Sequence, residues 1–142
     1  IRFFVPVHLY GFPVDPAGLR LLIDEFRLIC VEDCAQSIGA GTTGVATGLS
    51  GVAAATSFYP TKNLGALGDG GAVLTGDPEL AGRVRSLRDY GQSAKYRHSE
   101  LGANSRLDEL HADRERPVEG GAPPNSGLEV VREEPGFTEG FL

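Results

Sequence analysis

Three stretches decide how this chain folds: Phe3-Phe4-Val5-Pro6-Val7, then Asp15-Pro16-Ala17-Gly18-Leu19-Arg20-Leu21-Leu22-Ile23-Asp24-Glu25-Phe26, then Leu28-Ile29-Cys30-Val31-Glu32-Asp33. The first is a short apolar run and reads as a buried strand. In the second, Asp15 supplies a helix N-cap and Pro16 suits the first helical position. Leu19, Leu22, Ile23 and Phe26 recur at the spacing of one helix face, which predicts an amphipathic helix over about 15–27. The third is another apolar run, closed by Glu32 and Asp33. Strand, helix and strand at this spacing form a βαβ unit, with parallel strands and helices on the sheet faces.

Outward from that unit the pattern continues. The segment 39–51 is rich in glycine and threonine and reads as an irregular loop or small hairpin. Val52 to Phe58 is small and apolar, a third strand broken by Pro60. Gly65 to Gly71 is a second glycine-rich connection, and Ala72 to Thr75 is a fourth strand. Asp77-Pro78 opens a second capped helix, with Leu80, Val84 and Leu87 as its buried stripe and Arg83, Arg85 and Arg88 outside it. Tyr90-Gly91 ends that helix. A polar loop is expected over 92–105 and a further helix from Arg106 to Ala112. The expected fold class is α/β: part of a three-layer α/β/α large domain with a mostly parallel sheet, over residues 1–112. From 113 to 142 the chain turns rich in Gly, Pro and Glu with no apolar period. That stretch reads as a disordered tail.

Composition narrows the function. Net charge is -6, which argues against a nucleic-acid partner, since phosphate neutralisation needs a basic patch. Cys30 and Cys34 are the only cysteines, and His8, His98 and His111 are scattered, so no zinc site is expected. The thiols read as reduced, which fits a cytoplasmic protein. No stretch approaches the roughly 18 apolar residues of a membrane span. The first residues are too short for a signal peptide, and the absence of methionine suggests a processed chain or an internal fragment. Any chemistry that needs an amine side chain must use Lys62 or Lys95, the only lysines.

Open parallel sheets bind small molecules beyond the carboxyl ends of their strands. Asp33 ends the second strand there and Ser57 the third. Lys62 lies shortly beyond Ser57, and Gln36 one turn beyond Asp33. A lysine amine condenses with an aldehyde to form a Schiff base. Pyridoxal 5'-phosphate (PLP) is such an aldehyde. Its ring draws electrons when the pyridine nitrogen stays protonated, and a buried carboxylate opposite that nitrogen holds the proton. Its phosphate wants hydroxyl and amide donors. Lys62, Asp33 and Ser57 have the right chemistry for those three tasks. On residue types and spacing alone they read first as satisfied polar groups at loop ends, since any α/β domain has an aspartate at a strand end and a lysine in a loop.

The local sequences carry more. Pro6-Val7-His8-Leu9-Tyr10-Gly11, Val31-Glu32-Asp33-Cys34-Ala35-Gln36, the block from Ser57 to Gly65, Gly68-Asp69-Gly70-Gly71-Ala72-Val73 and the block from Gly102 to Leu110 closely resemble the DegT-type sugar aminotransferase family, in its order and at about its spacing. The resemblance implies a PLP enzyme of the aspartate-aminotransferase fold. It implies transfer of an amino group, commonly from glutamate, to a keto-sugar nucleotide in deoxyaminosugar biosynthesis. On the family pattern, Lys62 resembles the Schiff-base lysine and proton shuttle, and Asp33 the pyridinium partner. Gln36 resembles a ring contact, and Ser57 a phosphate ligand. Asn104 resembles the asparagine that reaches the phosphate of a neighbouring subunit, which implies a homodimer. Asn104 also reads as a simple helix cap, and Gln36 as a turn hydrogen-bonder. Some relatives carry histidine at the lysine position and dehydrate instead; Lys62 favours transamination. The resemblance gives His8 and Tyr10 no role.

Departures from the pattern are Val52 for a usual aspartate, Thr56 and Ala103 where aromatics are common, and His111 at a glutamine position. Gly68-Asp69-Gly70-Gly71 lacks the ending of a Walker motif and reads as a turn. Lys95 and His98 read as solvated loop residues. Family members are well over twice this length, so the chain reads as an internal fragment with an unrelated C-terminal tail, inactive by itself. The competing reading is a non-catalytic remnant or a binding module on the same scaffold.

Overall fold

The computed structural model describes residues 2–106 and the backbone of 138–141. The expected helix over 106–112, beyond Arg106 itself, and most of the expected tail lie outside the described residues. The elements run in the order β1 (Phe3–Phe4), a 3-10 turn (Leu9–Gly11), α1 (Pro16–Phe26), β2 (Ile29–Asp33), β3 (Gly41–Thr42), β4 (Val45–Ala46), β5 (Ala53–Ser57), β6 (Gly71–Thr75), α2 (Pro78–Arg88), β7 (Gln92–Ala94), β8 (Arg97–His98) and β9 (Thr138–Phe141). One five-stranded sheet has the order β1-β2-β5-β6-β9. Two small hairpins, β3-β4 and β7-β8, stand apart from it.

The βαβ unit forms as its residues dictate. Asp15 accepts from the backbone N–H of Ala17 and Gly18, satisfying donors that the first helical turn leaves open. Arg27 closes α1 in the left-handed region at φ 49°. β1 and β2 are then parallel, with Phe3 opposite Ile29, and β2 and β5 are parallel, with Asp33 opposite Ala55. Val7 adds a further parallel bridge to Asp33.

β6 turns back. It is antiparallel to β5, with Ser57 opposite Gly71. A parallel neighbour needs a crossover, usually helical, and the connection from Phe58 to Gly70 contains no helix. β9 is antiparallel to β6 in turn. Four of the five strands therefore run one way, and the α/β class with a mostly parallel sheet holds.

The two faces of the sheet differ. Alternation places Cys30 and Glu32 of β2 and Ala54 of β5 on one face, and all three are buried. The opposite face carries Asp33, Ala55 and Ser57, and Ala55 is exposed. A small core cluster of Phe58, Ala66 and Ala72, with Ile38 and Leu64 against it, anchors the connection after β5. Of the expected α1 stripe only Leu19 is buried. Leu22 and Phe26 are 43% and 58% exposed, because no described element covers that end of the helix.

Candidate active site

Asp33 and Ser57 come together at the carboxyl ends of adjacent parallel strands. Asp33 pairs with Ala55 in register, and Ser57 lies two residues further along β5, on the same face. Strand spacing puts their Cα atoms on the order of 8 Å apart, with only the methyl of Ala55 between them. That is an open shelf with a carboxylate at one end and a hydroxyl at the other. Asp33 Oδ1 accepts from the Ala35 N–H at 3.0 Å, and its other oxygen has no hydrogen-bond partner among the described residues. The Ser57 oxygen accepts from the Tyr59 N–H at 3.2 Å, so its own O–H remains able to donate.

Lys62 follows on a short turn in which its N–H donates to the Tyr59 carbonyl at 2.8 Å. The side chain is half-buried. The turn is tied down from both sides: Phe58 N–H donates to the Gly70 carbonyl and Ala66 N–H to the Phe58 carbonyl, each at 2.8 Å. Gly65 is needed there, because a Cβ at that position would sit 2.5 Å from the Pro60 carbonyl oxygen. The Lys62 loop is thus a fixed turn hung from the Phe58 cluster rather than a loose connection.

Gln36 is held by its side-chain carbonyl, which accepts from the Tyr10 N–H at 2.8 Å. Its amide nitrogen is left for another partner. Asn104 has none of its hydrogen bonds with the other four candidates. It is exposed, bridges Asp89, and receives Arg106 Nε at 3.4 Å. Arg106 also lies 3.3 Å from Asp89, off hydrogen-bonding geometry, and over the Tyr90 ring. Lys95 sits over the Tyr96 ring, and His98 contacts the Tyr90 carbonyl. An open surface groove of about 510 Å3 between α2 and the β7 hairpin contains Arg83, Arg85, Gln92 and Glu100 but none of the five candidates. An Arg83–Glu100 pair at 3.3 Å closes part of it.

Two further residues stand out only once the chain is folded. His8 and Glu32 are 2% and 1% exposed and meet at 2.9 Å. The Glu32 carboxylate also accepts from the N–H groups of Gly48, Ser50 and Gly51. A carboxylate in phase with Cys30 and Cys34 along an apolar strand is a signal that alternation alone exposes. The neighbouring thiols respond to it: burial first, and then the Glu32 charge, pushes Cys30 up from its ordinary value. Burial likewise leads the rise at Cys34, opposed by hydrogen bonds from Ser37 and Thr47. Among the described residues no group of His, Cys, Asp or Glu has the arrangement of a metal site.

Residues 2–113 match the family described as DegT/DnrJ/EryC1/StrS aminotransferase. The chain is 57% identical over 111 residues to dTDP-3-amino-3,4,6-trideoxy-alpha-D-glucose transaminase of Streptomyces venezuelae, covering 78% of this chain and 29% of that protein. Among solved structures it resembles S. venezuelae DesV in complex with a ketimine intermediate, at a TM-score of 0.74 and 57% identity over 78% of this chain and 30% of that one. It also resembles NtdA of Bacillus subtilis with bound cofactor PMP, at a TM-score of 0.71 and 32% identity over 78% and 25% of the two chains. The chain thus spans about 30% of the length of the curated relatives it matches.

Proposed function

The chain belongs to the DegT/DnrJ/EryC1/StrS aminotransferase family, and on that premise we propose that it is the lysine-bearing segment of a PLP-dependent sugar aminotransferase. The reaction is transfer of an amino group, with glutamate as donor, to a keto-sugar nucleotide. One observation supports this most directly: the Asp33 carboxylate and the Ser57 hydroxyl share the open face of two adjacent parallel strands, with Lys62 on an anchored turn just beyond.

PLP, when bound, supplies an aldehyde for an amine and a ring that withdraws electrons. The oxygen of Asp33 that Ala35 leaves unused would hold a proton on the ring nitrogen of such a cofactor. The Ser57 O–H donates to a phosphate oxygen while the Tyr59 N–H keeps that side chain in one rotamer. The Gln36 amide nitrogen, with its carbonyl engaged by the Tyr10 N–H, would serve as the ring contact. Lys62 Nζ is the amine that takes and returns a proton at the substrate carbon. Asn104, exposed and tied to Asp89 and Arg106 rather than to the other four, fits a role across a homodimer interface. A cytoplasmic location agrees with the reduced thiols. No helix among the described residues is long and apolar enough to cross a membrane.

Alone, these candidates give the phosphate one hydroxyl per chain, so the 142-residue chain is expected to hold PLP weakly and turn over little sugar. The test is capture. The purified chain is mixed with PLP, reduced with borohydride, digested and mapped by mass spectrometry. A pyridoxyl group concentrated on Lys62 is the expected result. Adducts spread evenly over Lys95, Lys62 and the N-terminal amine would favour a binding module that only reuses the scaffold.

A further inference from the structure

Glu32 collects four N–H donors: His8 Nε2 and Gly48 N on one oxygen, Ser50 N and Gly51 N on the other, at 2.7–3.1 Å. A carboxylate has about four acceptor positions, and all four are used. His8 is equally committed. Its Nδ1 accepts from the Val14 N–H at 3.0 Å, which leaves the ring proton on Nε2, pointing at Glu32. The adjoining cavity measures about 10 Å3, no more than the smallest space that holds one water. No substrate reaches this pair, so it does not act as an acid or base on one.

What the pair does reach is Asp33. The main chain of Asp33 is clamped on both sides by the same loop: its N–H donates to the Pro6 carbonyl at 2.8 Å, and its carbonyl accepts from the His8 N–H at 3.1 Å. The His8 ring then returns to the side chain of the preceding residue, Glu32. Strand end and loop form a closed ring of bonds, with the Asp33 side chain projecting from its far face. The same loop carries Tyr10, whose N–H holds Gln36. The other three donors to Glu32 come from the turn that feeds β5 and Ser57. Three segments therefore meet at one buried carboxylate: the strand end that continues to Asp33 and Gln36, the His8 loop that holds both of those residues, and the turn that leads into β5 and Ser57.

We propose that the His8–Glu32 pair is the positioning device that fixes the Asp33 carboxylate for its cofactor. This rests on the reading of Asp33 as the ring-nitrogen partner. The reporter is the Ala35 amide, which donates to Asp33 Oδ1. In the purified chain, Glu32→Gln puts an amide NH2 against two N–H donors, and His8→Phe removes the ring nitrogens. Either change is expected to speed hydrogen exchange at Ala35 about tenfold, the scale of one lost hydrogen bond, and to shift the absorbance of added PLP and lower its capture on Lys62. His8→Gln, which keeps an N–H for Glu32 and a carbonyl for Val14, restores all three. If His8→Phe does not fold, Glu32→Gln and His8→Gln carry the comparison. Faster exchange at Val14, Gly48, Ser50 and Gly51 with Ala35 unchanged would overturn the proposal, leaving the pair a loop clasp. Should the wild-type chain show no preference for Lys62 while Ala35 still responds, the positioning role stands and the cofactor reading fails. Capture on Lys62 with an unresponsive Ala35 would instead sink the positioning role and leave the cofactor reading intact.

Discussion

Cys30 and Cys34 flank Glu32 on the packed face of the sheet, and both thiols are held above their ordinary value of 9.0, burial being the larger cause. A raised value in the folded state means that the folded chain keeps a proton the unfolded chain releases. Their contribution to stability is therefore complete below about pH 9 and is lost as pH climbs through the folded values. Stability measured by urea unfolding should fall from about pH 9 upward, and Cys34→Ala should flatten that fall. An unchanged alkaline slope in the variant would count against the assignment. At this scale the sequence was legible where chemistry had an obvious partner: Asp33 and Ser57 do share a strand-end face. Glu32 was not legible. Its meaning lies in backbone N–H groups from residues 48, 50 and 51, which no residue type announces. His8 was hidden for the same reason, since a lone histidine at a strand end says nothing of a carboxylate 24 residues on.

Helices and strands were easier to read than the direction of pairing. Both helices begin at an Asp-Pro pair, and in both the aspartate accepts two first-turn N–H groups, Ala17 and Gly18 for Asp15, Glu79 and Leu80 for Asp77. Asp15→Ala and Asp77→Ala should each cost about 1 kcal/mol. That is roughly 4 °C in melting temperature for a domain of this size, read by circular dichroism, while the Asn variants stay near wild type. A loss as large in Asn as in Ala would show that charge, not capping, matters. The reversal of β6 was not legible, because β-period patterning is the same in either direction and only the lack of a connecting helix distinguishes them. The polar stretch over 92–105 proved to contain a hairpin, β7-β8. Its turn uses Tyr96 at φ 66°, a conformation that a non-glycine residue rarely announces.

For the molecule as a whole, one face of the sheet and one end of α1 lack cover among the described residues. Phe3, Val5 and Val7 are 68%, 58% and 47% exposed along the β1 side, where β1 forms the edge of the sheet. Such a surface self-associates. Sedimentation velocity of the purified chain should show concentration-dependent association, reduced by Phe3→Lys. A monodisperse monomer across a wide concentration range would contradict this. Overall class was legible because βαβ periodicity is a local signal. How the candidate side chains lie toward one another was not, since that depends on register between strands, such as Asp33 opposite Ala55, which no single segment encodes.

The ring of donors around Glu32 also imposes an order on the nascent chain. β1, α1 and β2 can pair as soon as residue 33 has left the ribosome, and His8 can then meet Glu32. The acid nonetheless stays open to water until Gly48, Ser50 and Gly51 emerge and close over it. Burial of this carboxylate therefore waits on residues 48–51, whatever the order in which the strands pair.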